Sequence, residues 1–256
     1  MKRRKMVAGN WKMHKTVAQS VELAGQVADG LKGREVDVLL APTVLALAAV
    51  GARLAGTPVL LAAQNLFWED QGAYTGEVSG PLIKAAGASH VIIGHSERRQ
   101  YFGESEETAG LRVAAALAAG LVPILCVGET LAQRQKAQTE GVLESQLAGA
   151  LAGLSANGQA GLAGLGGLIV AYEPAWAIGT GVNASEEQAN QAHAYIRSWL
   201  AYRFDKKVAK ATQILYGGSV KPANAAGLLN QSEVDGILVG GASLNAADFL
   251  GIIQTL

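Results

Sequence analysis

The sequence predicts an α/β fold in which eight parallel strands close into a barrel, each followed by helix. Three observations carry this reading. Eight short apolar runs recur along the chain, at residues 6–11, 36–41, 59–64, 90–94, 122–127, 168–172, 213–216 and 236–239. Most are apolar throughout rather than alternating, as expected of parallel strands whose outer face is covered by helices. Helix-period segments lie between them, with no Pro/Ser-rich linker dividing the chain. Eight such units within 256 residues favour one closed barrel domain over residues 1–256, rather than an open doubly wound sheet.

The helices have legible starts. Thr16 and Gln19 have the spacing of a capping box, followed by Val17, Val21, Ala24, Ala28 and Leu31 on one face. Ser105 precedes Glu106 and Glu107, which suit the positive end of a helix dipole. Ser185 and Gln188 repeat the capping pattern ahead of Ala192, Ile196 and Leu200. Pro222 suits a first helical turn, and Asn245 with Asp248 can open the last helix.

Composition narrows the function classes. Half the residues are hydrophobic and only 16% are charged, the mark of a compact protein rather than a disordered one. Twenty-one basic residues balance 21 acidic ones, so no global field draws the chain to nucleic acid or a membrane surface. The basic start at residues 1–5 reads as a solvated tail, because Asn10 and Lys12 interrupt any signal-like apolar core. Of two long uncharged runs, 113–128 is short for a span and holds Gly120 and Pro123; 145–172 is Gly-rich with Ser155, Asn157 and Gln159. Neither has the character of a transmembrane helix. The single cysteine, Cys126, permits no internal disulfide and fits a reducing, cytoplasmic setting, where it packs as a small apolar residue. No CxxC or HExxH spacing occurs, so no metal site is expected.

In such a barrel, function gathers where strands end. The stretch AYEPAWAIGTG, residues 171–181, follows the sixth run. Glu173 sits where Pro174 must end the strand, and a lone carboxylate beside Tyr172 and Trp176 is suited to accepting a proton. Pro174 and Trp176 stiffen one end of the following loop while Gly179 and Gly181 free the other, which is the make-up of a lid. After the first run come Asn10 and Lys12, two apart and so on one face. After the third comes a long loop, residues 65–79, carrying Phe67, Trp68 and Tyr74, whose exposed aromatics suit a partner surface. After the fourth comes GHSER, placing His95 at a helix start, where a neutral imidazole is favoured. His14, His90 and His193 read as structural or solvated, and Arg98 equally as a support of the site or as a structural ion-pair member. The seventh and eighth runs lead into YGGSV and VGGASL, two Gly-Gly turns ahead of helices, an arrangement that offers backbone N–H groups to phosphate. A formal GxGxxA match from Gly179 to Ala184 follows no strand directly and has no acidic residue at the required distance, so it carries no dinucleotide site.

Together the motifs NWK (10–12), AQN (63–65), YTGE (74–77), GHSERR (94–99), AYEPAWAIGTG, YGGSV and VGGASL make the sequence resemble the triosephosphate isomerase family over nearly its whole length. A site at the barrel mouth, an acid–base pair tuned by its surroundings and a closing lid are familiar features of that family. The resemblance implies a (β/α)8 TIM barrel that interconverts dihydroxyacetone phosphate and glyceraldehyde 3-phosphate without a cofactor or metal. It implies Glu173 as the base, a neutral His95 polarising the carbonyl, Lys12 offsetting negative charge, and Asn10 beside it. Gly179, Ser219, Gly240 and Gly241 would bind the phosphate, with Ser96, Glu97 and Tyr216 in support. The lid would comprise Pro174, Ala175, Trp176, Ala177, Ile178, Gly179, Thr180, Gly181, Val182, Asn183 and Ala184, held closed by Tyr216 and Ser219. The resemblance also implies a homodimer, with Thr75 reaching the partner's site. Residues 149–167 depart from the family by being longer and richer in Gly and Ala. An aldolase-type Schiff base would need a lysine within a strand, and the runs offer none beyond Lys12; a non-catalytic phosphate binder would lack Glu173 or His95.

Overall fold

The computed structural model describes residues 3–31, 36–154, 167–177 and 183–256. Its strands are β1 (Met6–Asn10), β2 (Asp37–Ala41), β3 (Leu60–Ala63), β4 (His90–Ile93), β5 (Val122–Val127), β6 (Ile169–Tyr172), β7 (Gln213–Tyr216) and β8 (Gly236–Val239). All neighbours pair in parallel, and β8 returns to β1 with Val7 opposite Ile237, so the sheet closes. The eight predicted runs are these eight strands. Several overshoot by a residue, with Trp11, Gln64 and Gly94 lying just past their strands; Gly94 turns away with φ 72°, a conformation that favours glycine.

The helices are α1 (Val17–Gly30), α2 (Val44–Leu54), α3 (Gly80–Ala85), α4 (Ser96–Phe102), α5 (Glu106–Ala118), α6 (Leu131–Gln135), α7 (Thr139–Ala150), α8 (Glu186–Arg203), α9 (Lys206–Ala211), α10 (Pro222–Leu229) and α11 (Ala246–Ile253). The capping boxes at Thr16–Gln19 and Ser185–Gln188 form, and Ser105 caps α5 with Thr108 closing the box. Pro222 opens α10, and Asn245 caps α11 by accepting from the N–H groups of Ala247 and Asp248. Among the described residues, no helix is long and apolar enough to cross a membrane.

Side-chain alternation along the strands splits the core in two. Val7, Leu40, Val91, Leu125, Val170 and Ile214 face outward into a continuous layer beneath the helices. Met6, Ala8, Leu39, Ile92, Ile124, Leu215 and Leu238 fill the barrel itself. Cys126 belongs to this inner set, and burial pushes its thiol well above the ordinary range, which leaves it a packing residue.

The loop after β3 differs in part from expectation. Phe67 stacks on Trp68 at 4.1 Å and leans on Tyr74 at 4.6 Å, Arg112 lies over the Trp68 ring, and the Phe67 N–H bonds the Val78 carbonyl. Phe67 and Trp68 are thus half-buried in the loop's own base, because stacking on each other and on Arg112 hides more apolar surface than solvent exposure would. Tyr74 and Thr75 remain exposed at the tip.

Two histidines outside the site are buried. His90, at the start of β4, is held at a pKa of about 4 by burial, and His193, inside α8, at about 3 by burial, despite its contact with the Glu233 carbonyl. Both folded values lie below the unfolded one, so the unfolded chain takes up protons first as pH falls. The stability they contribute is present above pH ~6.5 and drains away between that value and ~4 or ~3. For His90 the loss is about 3 kcal/mol. Urea midpoints at pH 7 and 4.5 should therefore differ less in His90→Gln than in the parent; an equal difference would remove His90 from the acid response.

Candidate active site

Glu173 follows β6 immediately. Its N–H still bonds the Val127 carbonyl at 2.7 Å, after which Pro174 ends the ladder. The side chain is 2% exposed and turns over the mouth of the barrel. One carboxylate oxygen lies 3.2 Å from His95 Nε2, and the other accepts the Ser96 N–H at 3.1 Å. Gly217 makes room for this placement, since a Cβ there would lie 2.7 Å from Glu173 Cγ.

His95 is the N-cap of α4, with its Nδ1 accepting the Glu97 N–H at 3.2 Å. A nitrogen that accepts carries no proton, so this hydrogen bond assigns the ring a neutral form with its proton on Nε2, the atom facing Glu173. Glu97 also holds Lys12, whose Nζ is 2.6 Å from Oε1.

Lys12 has φ 50°, left-handed backbone uncommon in a lysine. Its peptide groups are fixed on both sides. The N–H donates to Asn10 Oδ1 at 3.0 Å, and the carbonyl accepts from Gln64 Nε2 at 2.9 Å. Gln64 also donates to the Ala41 carbonyl, so it ties Lys12 to the end of β2. The AQN motif contained Gln64, but this tie across 52 residues has no local sequence signal.

Asn10, Lys12, His95 and Glu173 border one cavity of about 550 Å³, and Gly217, Gly218, Ser219, Gly240 and Gly241 line its other wall. The Lys12 side chain runs against Gly240, where a Cβ would come 3.5 Å from its Cε. The two Gly-Gly turns thus meet the acid–base pair around one volume of small-ligand size.

The near hinge of the predicted lid is anchored by a carboxylate whose role the sequence reading left unassigned. Glu129 has no exposure, and it accepts from Tyr172 Oη at 3.1 Å and Trp176 Nε1 at 3.0 Å while pairing with Arg134 at 3.1 Å. Arg134 also stacks over the Trp176 ring, and Ala175–Ala177 forms a 3₁₀ turn. Burial and then the Glu129 charge push the Tyr172 phenol above its ordinary range. Glu129 lies two residues beyond the end of β5, so the strand-end rule applied to the other strands points to it too. At the far hinge the Ala184 N–H donates to Tyr216 Oη at 3.3 Å, and Asn183 is exposed beside it. The intervening lid residues Ile178, Gly179, Thr180, Gly181 and Val182 lie outside the described residues, as do residues 155–166 of the longer segment. Arg98 pairs with buried Glu104 at 2.7 Å, the structural one of the two roles open to it. Among the described residues no cluster of three or more His, Cys, Asp or Glu side chains is arranged to hold a metal.

Comparison with known proteins shows the family. The family model described as triosephosphate isomerase matches residues 5–256. A triosephosphate isomerase of Citrifermentans bemidjiense is 51% identical over 253 residues, covering 98% of each chain. One of Chlorobium luteolum is 50% identical over 256 residues, again covering 98% of each. The crystal structure of triosephosphate isomerase from Bartonella henselae superposes with a TM-score of 0.87 at 39% identity, covering 98% of both chains. A barrel closed in this strand order, with this site at its mouth and this likeness along its length, makes the chain an isomerase belonging to the triosephosphate isomerase family.

Proposed function

We propose that this chain interconverts dihydroxyacetone phosphate and D-glyceraldehyde 3-phosphate by moving one proton between C1 and C2 through an enediolate. The observation that carries the reading is the 3.2 Å approach of Glu173 to His95 Nε2 at the edge of a cavity whose opposite wall is two Gly-Gly turns. In this mechanism Glu173 removes the proton from one carbon and returns it to the next. His95, neutral, donates from Nε2 to the carbonyl oxygen and stabilises the oxyanion as it forms. Lys12 adds a fixed positive charge, kept in place by Glu97, with Asn10 holding its backbone. Backbone N–H groups of Gly179, Ser219, Gly240 and Gly241 bind the phosphate. Residues 174–184 form the lid, hinged at Trp176 on Glu129 and received at Ala184 by Tyr216. Closure excludes water and protects the intermediate from losing its phosphate. A base and hydrogen-bond donors suffice for enolisation, so no cofactor is assigned. We place the protein in the cytoplasm, as one barrel domain serving glycolysis and gluconeogenesis.

Purified protein should convert glyceraldehyde 3-phosphate in an assay that couples formation of dihydroxyacetone phosphate to a dehydrogenase. No conversion would remove the proposal.

We further propose a homodimer in which the 65–79 loop enters the partner. Thr75 at its exposed tip and the apolar exposure of Met13, Leu45 and Phe102 support this assignment. Thr75→Arg should halve the mass seen in sedimentation; an unchanged mass would show that this loop is not the contact.

A further inference from the structure

Four charged side chains line the cavity among the described residues: Lys12, Glu173, Lys221 and Asp248. The first two are committed inside. Lys12 is held by Glu97, and Glu173 is buried against His95 and Ser96. Lys221 and Asp248 differ in kind. Both are exposed, and neither enters an ion pair among the described residues. Lys221 stands two residues beyond Ser219, at the lip of the first Gly-Gly turn, as N-cap of α10. Asp248 lies in the first turn of α11. The two helices pack so that Pro222, next to Lys221, faces Gly251, one turn along from Asp248. A cation and an anion therefore share one lip of the cavity, on the side where the Gly-Gly turns present their backbone.

We propose that Lys221 and Asp248 form an electrostatic rim that sets how fast a phosphate ester enters: Lys221 draws the dianion toward the Gly-Gly turns, and Asp248 moderates that pull. This rests on the phosphate-ester substrate assigned above and extends it to residues outside the bound ligand's immediate shell. With a balanced charge over the whole chain, no global field competes with local charges at the mouth. A unit charge facing a phosphate dianion through water at ~10 Å changes the encounter rate about 3-fold at ~10 mM ionic strength, where the Debye length is ~30 Å. At ~0.5 M salt the same charge is almost fully screened. Rim charges of this kind act on association and its salt dependence more than on the bound state.

The test is a charge ladder: Asp248→Asn, parent, Lys221→Gln and Lys221→Glu, each one unit more negative than the last. Stopped-flow association of the unreactive ester sn-glycerol 3-phosphate should fall about 3-fold per step at ~10 mM ionic strength and by less than ~1.3-fold per step at ~0.5 M. Where turnover is followed, kcat/KM for glyceraldehyde 3-phosphate should fall down the ladder while kcat holds. Unphosphorylated glyceraldehyde, which carries no charge, should show no ladder. A flat ladder at low salt would overturn the rim. So would steps that persist at high salt or appear with unphosphorylated glyceraldehyde, since these would mark a structural effect. A ladder in glycerol 3-phosphate association without turnover by the parent would keep the rim and remove the isomerase reading, so the two fail separately.

Discussion

Glu173→Gln should lower kcat by at least ~100-fold, the low end for loss of a positioned general base, while a phosphate-bearing inhibitor binds within about 3-fold of its affinity for the parent. The substitution keeps the side chain's shape in a site that is 2% exposed and packed against Gly217. A carboxamide retains one oxygen for the Ser96 N–H, so the strand end and the start of α4 stay joined. It cannot accept a proton from carbon at neutral pH. Because the inhibitor's phosphate would be held by the Gly-Gly turns across the cavity, binding and turnover should separate. Steady-state kinetics and an isothermal titration would show this split; turnover equal to the parent's would reject Glu173 as the base.

Glu129→Ala should destabilise the fold by about 3–5 kcal/mol, the usual cost of breaking a buried ion pair from one side. The carboxylate has no solvent exposure and serves Tyr172, Trp176 and Arg134 at once. Removing it strands the Tyr172 hydroxyl beneath β6 and leaves the Arg134 guanidinium, only 25% exposed, without its counter-charge. Glu129→Gln keeps an acceptor and loses the charge, so a smaller loss of about 1–3 kcal/mol is expected. Urea unfolding monitored by circular dichroism gives both numbers. A loss below ~1 kcal/mol for the alanine variant would show that Arg134 and Tyr172 find other partners.

The barrel was legible because its signals are local. Parallel strands covered by helices are apolar on both faces, and each capping residue lies within four positions of the N–H it accepts from. The same holds for much of the site, since Glu173, His95 and the Gly-Gly turns each sit directly after an apolar run. What escaped depends on partners far along the chain. Gln64 reaches Lys12 across 52 residues, and Trp176 reaches Glu129 across 47. The left-handed backbone of Lys12 has no glycine or asparagine to announce it; it is held by Asn10 and Gln64, not by its own preference. The half-burial of Phe67 and Trp68 likewise follows from Arg112, which arrives from α5. The reading of His90 and His193 as structural or solvated left open how deep they lie, because a histidine's burial is decided by the layers stacked around it.

The most direct measurement of proton transfer by Glu173 is to run the isomerisation of glyceraldehyde 3-phosphate in D2O and examine the product by proton NMR. A carboxylate that lifts a proton from one carbon and returns it to the next exchanges that proton with solvent in part of its cycles. A substantial fraction of the dihydroxyacetone phosphate should therefore carry one deuterium at C1, and Glu173→Gln should abolish the signal. Turnover by Glu173→Gln as fast as the parent's, with deuterium still delivered to C1, would contradict a base at Glu173.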